Sequence, residues 1–309
     1  MSLMIVSPDK HPVSWIRALR DAAPGIEVLP RHEVSDPASV VFALAWSHPP
    51  GIFSQYPNLK CISSMGAGVD YLLRDKEIPA HIPIVRIIDP KLSHDMFEFA
   101  LAVIMNRLRG LTHYRQNQEQ RYWKKKPYLT MADLRVGVMG TGVIGDHVAA
   151  QLQQTGFRVH GWSRSQRKET SYPEFHGNGQ LQEFLSQSDI LICLLPLTQE
   201  TQGILNQNNL QALPKGAWVI NLGRGGHVVD EDLLSALDSG HLDGANLDVF
   251  REEPLPESHP LWSHPRIFVT PHIASLTTPE SVAPQVADNY FRALEGRPLL
   301  HLVDREKGY

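Results

Sequence analysis

The sequence predicts an α/β protein made of two doubly wound parallel-sheet domains. At 309 residues the chain is longer than one hydrophobic core usually serves. Short apolar or β-branched runs alternate with amphipathic segments along the chain, which is typical of parallel strands covered by helices. One long helical segment interrupts this alternation, so the chain divides into two α/β regions.

The first region contains the apolar runs LMIVS, VVFALAW, CISSM and IPIVRI, with a helix expected around Trp15 to Ala22. The interrupting helix is expected from Ser93 to about Glu119, because its apolar residues recur every three or four positions. The second region contains the runs RVGVMG, FRVHGWSR, DILICLLP, WVINLG, DGANLDVF and RIFVTPHI. A last helix, from about Pro279 to Leu294, is expected to return to the first region.

Composition predicts an ordinary globular protein, with 42% hydrophobic and 20% charged residues. The net charge of -4 gives no basic surplus for a nucleic acid, and the one basic cluster, Lys124–Lys126, is short. No segment reaches the roughly 20 apolar residues that span a bilayer, and no export leader is evident. Cys61 and Cys193 lie in apolar runs, so we expect buried thiols and a reducing, cytoplasmic compartment. The histidines have no metal-ligand spacing, so no metal is expected.

A glycine-rich loop follows the first strand of the second region and precedes a helical pattern. In this order the first glycine permits a tight turn, the second lets the backbone approach a ligand, and the third lets helix and strand pack closely. The free amides and the dipole of the helix start can then hold a pyrophosphate. The loop therefore predicts a dinucleotide site in a Rossmann-type domain, formed by Gly140, Thr141, Gly142, Val143, Ile144 and Gly145.

The residues about 20 positions further on indicate which nicotinamide dinucleotide is used. A site for NAD would have an Asp or Glu there for the ribose hydroxyls. This chain has Ser163, Arg164 and Ser165, with Arg167 and Lys168 behind them. A guanidinium and hydroxyl groups can bind a 2′-phosphate, which a carboxylate would repel. NADPH is therefore the expected cofactor; if Arg164 is only a solvated turn residue, NADH is used instead.

Three apolar runs of the second region end in polar residues that suit the reduction of a carbonyl. Arg224 lies in a glycine-flanked turn, Asp248 and Glu253 follow the next run, and His272 follows the last. Hydride addition produces an alkoxide, which needs a proton donor and a fixed positive charge. His272 can donate the proton, Glu253 can orient its ring, and Arg224 can bind the oxygens of a 2-oxo acid. Each residue alone could instead be structural.

These motifs resemble those of the D-2-hydroxyacid dehydrogenase family, and within it the glyoxylate/hydroxypyruvate reductase A type. The resemblance covers nearly the whole chain and rests on GTGVIG, LLPLTQETQGIL, INLGRGGHVVDEDLLSALDSGHLDGANLDVFREEPLP, HPLWSHPRIFVTPHIAS and VDREKGY. It implies that Arg224, Glu253 and His272 form the catalytic triad. It also implies that Asp248 contacts the nicotinamide end of the cofactor.

The resemblance further implies a homodimer and a two-domain architecture. A Rossmann cofactor domain, residues 98–275, would be inserted into a flavodoxin-like substrate domain, residues 1–97 completed by residues 276–309. The segment SSMGAGVDYL is similar to the family's substrate-carboxylate loop, although a plain strand-to-helix turn is the alternative. Its backbone amides would hold the substrate's acid group, and the residues concerned are Met65, Gly66, Ala67 and Gly68.

Three other assignments from the resemblance leave alternatives open. Trp46 matches another active-site loop and could cover a small substrate or simply pack against the protein. Trp123, in RYWKKKP, could reach a partner subunit or cap its own domain. LLPLTQET is similar to the wall beneath the adenosine, through Leu195, Pro196 and Thr201, although strand-end packing would also explain the first two.

Together these features predict an NADPH-preferring reductase of small 2-oxo acids, which converts glyoxylate to glycolate and hydroxypyruvate to D-glycerate. A D-lactate-type or broader 2-oxo-acid dehydrogenase that uses NAD is the alternative within this class, because the sequence does not give the size of the substrate pocket. A non-catalytic protein that senses dinucleotides is the alternative from another class.

Overall fold

Two parallel sheets, each with its own flanking helices, organise the chain. The predicted α/β class with two parallel sheets is therefore confirmed. By their internal contacts the residues form two units, residues 1–91 with 277–309 and residues 92–276. The computed structural model describes residues 1–7, 12–166 and 169–309.

The first unit contains a five-stranded sheet. Its elements are β1 (Ser2–Val6), α1 (Val13–Ala22), β2 (Glu27–Pro30), β3 (Val40–Ala45), β4 (Cys61–Ser64), α2 (Asp70–Arg74), β5 (Ile84–Val85) and the last helix of the chain, α9 (Pro279–Glu295). The strand order is β2-β1-β3-β4-β5, and every neighbouring pair is parallel. This order is that of flavodoxin-like folds, as the sequence predicts.

The returning helix α9 packs against α1, β3 and β4 of this same unit. Its apolar residues fall on one face, and Val282, Val286 and Tyr290 are buried. The Tyr290 ring meets Phe42 edge-on, with 6.1 Å between ring centroids, and its hydroxyl donates to the Met1 carbonyl at 2.8 Å. The expected return of the chain to its first region is confirmed.

The second unit contains a seven-stranded sheet, and two helices precede this sheet in the chain. The first of these helices begins at Pro90, two residues before the unit itself begins. Its elements are α3 (Pro90–Arg109), α4 (Leu111–Glu119), β6 (Arg135–Met139), α5 (Val143–Thr155), β7 (Arg158–Ser163), β8 (Glu174–His176), α6 (Leu181–Ser186), β9 (Ile190–Cys193), α7 (Gln207–Ala212), β10 (Ala217–Asn221), α8 (Asp230–Asp238), β11 (Leu242–Leu247) and β12 (Ile267–Val269).

The order of these strands places the glycine loop after an interior strand, where the direction in which the chain builds the sheet reverses. The order is β12-β11-β10-β9-β6-β7-β8, with every neighbouring pair parallel. From β6 the chain first builds outward on one side through β7 and β8, then crosses to β9 on the other side. Ligands of such sheets bind at the carboxyl end of the strands where this reversal occurs. The loop that follows β6 lies at that position.

The strands are buried because helices cover both faces of the sheet. Ile190–Cys193 is buried along its whole length, as expected for a strand of a doubly covered parallel sheet. Cys61 and Cys193 are free, buried thiols, as predicted. Burial raises the pKa of both thiols, and for Cys193 the value is about 12. No helix in the described part of the chain is long and apolar enough to cross a membrane.

The long helix expected between the two regions is divided. α3 ends at Arg109, Gly110 takes the left-handed conformation with φ 60°, and α4 begins at Leu111. The Asn106 side chain accepts a hydrogen bond from the Thr112 amide at 3.2 Å and donates to its hydroxyl at 3.0 Å. The apolar periodicity continues across this junction, which is why the pattern alone predicts one helix.

Candidate active site

Two glycines of the glycine loop, Gly140 and Gly145, are required because the backbone there leaves no room for a side chain. Gly140 has φ 102°, and a Cβ there would lie 2.8 Å from the backbone carbon of Leu194. A Cβ on Gly145 would lie 1.8 Å from the Gly140 carbonyl oxygen. Only glycine therefore lets α5 begin so close to the end of β6.

The middle glycine borders the space that a ligand needs. A Cβ on Gly142 would meet no atom within 4 Å. The first hydrogen bond of α5 runs from the Asp146 amide to the Gly142 carbonyl at 2.8 Å, so the amides of Val143 and Ile144 precede the helical hydrogen bonding. Free amides at a helix start, beside a position without a side chain, are the features that hold a pyrophosphate. The loop thus fits a dinucleotide.

The hydroxyl groups at this end of the sheet are turned toward the protein. The Thr141 hydroxyl donates to the Glu174 carboxylate on β8, and the Thr141 residue is 2% exposed. The Ser163 hydroxyl lies 2.9 Å from the Ser165 carbonyl and 3.3 Å from the same carboxylate. The Glu174 side chain is 4% exposed. Glu174 could not be predicted from the sequence, because it lies on a three-residue edge strand with no motif around it.

Arg164 has a carboxylate partner that the sequence did not indicate. Its Nη1 lies 2.9 Å from Oε2 of Glu200, and the two side chains are 41% and 67% exposed. Arg164 follows β7, whereas Glu200 lies in the loop after β9. Arg167 and Lys168, which the sequence analysis placed behind Arg164, lie outside the described residues.

The loop after β9 is held together by its own threonines. The Thr201 hydroxyl donates to the Pro196 carbonyl at 2.7 Å and accepts from the Thr198 amide at 2.8 Å. Leu195 is buried, at 7% exposure, and Pro196 is half-buried. These contacts fix the shape of the loop, so Thr201 has a structural role here, and its contact with a cofactor stays a prediction.

His272 and Glu253 form the central pair of the site. The imidazole Nδ1 lies 2.7 Å from Glu253 Oε2, and the two side chains are 33% and 35% exposed. The other oxygen, Oε1, accepts a hydrogen bond from the Phe250 amide at 2.9 Å, which fixes the carboxylate. Because Nδ1 is engaged, Nε2 is the nitrogen through which His272 can donate a proton to a ligand.

Asp248 anchors the turn that carries His272. One carboxylate oxygen accepts from the Thr270 hydroxyl at 2.6 Å and the Ile273 amide at 3.0 Å, and the other accepts from the Ala274 amide at 2.9 Å. The His272 amide donates to the Asp248 carbonyl at 2.8 Å. These bonds hold His272 at φ 54°, a left-handed conformation that few non-glycine residues adopt. Asp248 is 1% exposed, and its carboxylate is occupied by these hydrogen bonds within the protein. Its contact with a nicotinamide stays a prediction.

Arg224 is brought to the same strand ends by a close backbone approach. A Cβ on Gly225 would lie 1.9 Å from the backbone carbon of Phe250, so only glycine allows this approach. The Arg224 guanidinium donates to the Gly223 carbonyl at 2.7 Å through Nη1. The positive charge of Arg224 is also one of the influences on the Glu253 carboxyl.

Glu253 is held in its charged form. Burial raises the pKa of this carboxyl, but hydrogen bonds from His272 and Phe250 and the charges of His272 and Arg224 lower it by more. The net pKa of Glu253 therefore lies below its usual value. A carboxylate that stays ionised favours a protonated imidazole beside it.

The predicted substrate-carboxylate loop of the first unit is organised by two residues that the sequence analysis missed. The Ser64 hydroxyl accepts from the Gly66 amide at 3.1 Å and donates to the Gly68 carbonyl at 2.8 Å. The Tyr71 hydroxyl lies 2.5 Å from the Ala45 carbonyl and 3.0 Å from the Ser64 hydroxyl. Both lie within SSMGAGVDYL, but neither was predicted to contact a ligand, and each instead stabilises the loop through hydrogen bonds to its neighbours.

Trp46 lies against this loop. A Cβ on Gly66 would be 3.3 Å from its ring, and the ring centroid lies 5.3 Å from that of Tyr71. Met65 is buried, at 1% exposure, whereas Ala67 and Gly68 are half-buried. Ala67 and Gly68 are therefore the residues of the loop that a ligand could reach.

The histidine–carboxylate pair and the dinucleotide loop belong to the same unit, at the carboxyl ends of its strands. Such a pair can supply the proton that a carbonyl oxygen takes up when a bound dinucleotide delivers hydride. In the described part of the chain, no His, Cys, Asp and Glu side chains are grouped in threes to hold a metal ion. The fold and the site define a nicotinamide-dependent oxidoreductase.

Comparison with known proteins defines the family. Residues 101–274 match the family model for the D-isomer specific 2-hydroxyacid dehydrogenase, NAD binding domain. The glyoxylate/hydroxypyruvate reductase A of Photorhabdus laumondii is 38% identical over 314 residues, which cover 100% of both chains. The chain therefore belongs to the D-isomer specific 2-hydroxyacid dehydrogenase family.

Two solved structures are similar over essentially the whole chain. A D-isomer specific 2-hydroxyacid dehydrogenase from Xanthobacter autotrophicus Py2, in complex with NADPH and MES, is 39% identical with a TM-score of 0.95 and covers 100% of this chain and 99% of that one. An NADPH-dependent glyoxylate/hydroxypyruvate reductase from Sinorhizobium meliloti, in complex with NADP and sulfate, is 36% identical with a TM-score of 0.93 and covers 100% of both chains.

Proposed function

We propose that this protein is an NADPH-preferring reductase of small 2-oxo acids, converting glyoxylate to glycolate and hydroxypyruvate to D-glycerate. The observation that carries the proposal is the 2.7 Å contact between His272 Nδ1 and Glu253 Oε2, in a unit that also holds the glycine loop. The relative from Photorhabdus laumondii is named for both substrates, and the Sinorhizobium meliloti enzyme is named as NADPH-dependent.

Bound NADPH would supply hydride to the carbonyl carbon of the substrate. Glu253 holds Nδ1 of His272, and Nε2–H donates its proton to the oxygen that becomes the hydroxyl group. Arg224 binds the carbonyl oxygen and the carboxylate of the acid, so that the negative charge developing on oxygen meets a fixed positive charge. Asp248 keeps His272 in place by holding its turn.

The cofactor and substrate assignments divide between the two units. In the second unit, the glycine loop would hold the pyrophosphate, Ser163–Ser165 the 2′-phosphate, and the loop of Leu195, Pro196 and Thr201 the adenosine side. In the first unit, the amides of Ala67 and Gly68 would bind the substrate carboxylate. Trp46, which lies against that loop, would limit the size of the acid.

We also propose that the protein is a homodimer built on the cofactor domain and works in the cytoplasm. Trp123 supports the first proposal, because its side chain is 94% exposed and so does not cap its own domain. The two free, buried thiols are compatible with a reducing compartment.

One matrix of activities tests the proposed function. The purified protein is assayed at 340 nm with glyoxylate, hydroxypyruvate, pyruvate and phenylpyruvate, each with NADPH and with NADH. The expected result is the highest kcat/KM for glyoxylate or hydroxypyruvate with NADPH. A clear preference for pyruvate with NADH would indicate the D-lactate-type alternative, and no turnover with any pair would indicate a dinucleotide-sensing protein.

A further inference from the structure

Two carboxylates lie at the end of the sheet where the sequence predicts a 2′-phosphate. Arg164 follows β7 and Glu200 lies in the loop after β9, and these two strands are the neighbours of β6 on either side. The Arg164–Glu200 ion pair, at 2.9 Å, therefore joins the two loops that flank the glycine loop. Glu174 is the second carboxylate, buried beneath Ser163.

Ser163, another predicted phosphate ligand, offers less than the sequence suggests. The Ser163 hydroxyl is directed at the Ser165 carbonyl and at Glu174, rather than outward. Among residues 163 to 165, Arg164 carries the positive charge that attracts a phosphate, and the negative charges of both carboxylates oppose that attraction. The preference for NADPH over NADH then depends on how the Arg164 guanidinium is shared between carboxylate and phosphate.

We propose that Glu200 is a specificity-determining residue, which competes with the 2′-phosphate of the cofactor for the Arg164 guanidinium and limits the preference for NADPH over NADH. This inference rests on the proposed function, which places the 2′-phosphate at Arg164.

The physical basis is that a carboxylate and a phosphate use the same planar set of N–H donors. If the phosphate replaces Glu200, the existing ion pair is lost; if both anions share the guanidinium, two negative groups lie close together. Either way Glu200 disfavours the phosphate. The pair is exposed, so the penalty is modest. NADH has no 2′-phosphate, so Glu200 affects NADPH selectively.

The test is calorimetric titration of the full chain with two fragments of the cofactor, 2′,5′-ADP and 5′-AMP. Glu200→Gln keeps the size of the side chain and removes its charge. We expect this variant to bind 2′,5′-ADP about two- to fivefold more tightly, the range of an exposed ion pair, with unchanged affinity for 5′-AMP. Glu231→Gln, at an exposed position in the first turn of α8, is the matched control and should change neither affinity.

A double-mutant comparison connects the effect to Arg164. In an Arg164→Gln background, Glu200→Gln should no longer tighten the binding of 2′,5′-ADP. If Glu200→Gln leaves 2′,5′-ADP binding unchanged or weakens it, Glu200 does not compete and the inference is wrong. If the unaltered protein binds 2′,5′-ADP no more tightly than 5′-AMP, the proposed NADPH preference itself fails and the inference fails with it.

Discussion

His272 is held by two carboxylates that act on different parts of it. Asp248 binds the backbone around the histidine and sets its left-handed conformation, whereas Glu253 binds the ring through Nδ1. Asp248 is 1% exposed and Glu253 is one-third exposed. The first carboxylate therefore determines where the imidazole lies, and the second determines its orientation.

Removal of either the His272 or the Arg224 side chain tests the chemistry directly. We expect His272→Ala and Arg224→Ala each to lower kcat/KM for the reduction by about 10²-fold or more, because the proton donor or the fixed positive charge is lost. The affinity for NADPH, measured by fluorescence titration, should stay nearly unchanged, since neither residue belongs to the glycine loop. Near-normal turnover in both variants would reject the assigned roles.

The pH dependence tests the part played by Glu253. Its pKa is lowered, so the carboxylate persists as pH falls until that lowered pKa is reached, and it is fully charged at neutral pH. In Glu253→Gln the charge that favours the imidazolium is absent. The alkaline limb of the kcat/KM profile for reduction should therefore move to lower pH.

The neighbouring residue offers the control for this profile. Glu252 is an exposed carboxylate one position earlier in the same loop, and Glu252→Gln should leave the alkaline limb in place. A Glu253→Gln profile that coincides with that of the unaltered protein would show that the carboxylate does not influence the proton donor.

Two glycines of the glycine loop have different roles, because Gly145 is required for the fold and Gly142 leaves space for the ligand. A Cβ would collide with backbone at Gly145 but would meet nothing within 4 Å at Gly142. We therefore expect Gly145→Ala to lower the melting temperature markedly, at a cost of several kcal/mol. Gly142→Ala should leave the melting temperature nearly unchanged and weaken NADPH binding. Equal melting temperatures for the two variants, or unaltered NADPH binding in Gly142→Ala, would contradict this division.

The strands and the glycine loop could be predicted because their signals are local. A buried parallel strand is a continuous apolar run, and a tight strand-to-helix turn demands glycine at fixed spacing. The break at Gly110 and the short strands β2 and β8 give only weak signals of this kind. Glycine occurs inside many helices, and strands of three or four residues at a sheet edge need little apolar sequence.

The partners of the predicted residues could not be found in the same way. Arg164 pairs with Glu200 across 36 positions, and Thr141 donates to Glu174 across 33. These partners become neighbours because the strand order places β9 and β7 on either side of β6 and β8 beside β7. The residue types at the strand ends could therefore be predicted from the sequence. Which of these residues pair with one another depends on the order of the strands and could not be predicted.

The proposed association of two chains is supported by apolar residues that the folded chain leaves exposed. Between α4 and β6, a segment without helix or strand from residue 122 to 130 carries large side chains that its own unit leaves largely exposed. Exposed aromatic side chains near one another commonly mark a protein interface. The large exposed side chains of this segment are Tyr122, Trp123, Tyr128 and Leu129, with exposures of 52%, 94%, 63% and 44%.

If this segment forms the interface of the proposed homodimer, its largest side chains should contribute most of the affinity. We expect sedimentation velocity to show a dimer, and Trp123→Ser with Tyr128→Ser to raise the dimer dissociation constant by about tenfold or more. Val13→Ser removes an exposed apolar side chain from the first unit, where Val13 is 70% exposed, and should leave the dimer intact. A dimer weakened by Val13→Ser but not by the double variant would place the interface on the first unit. A monomer at all accessible concentrations would contradict the proposed homodimer.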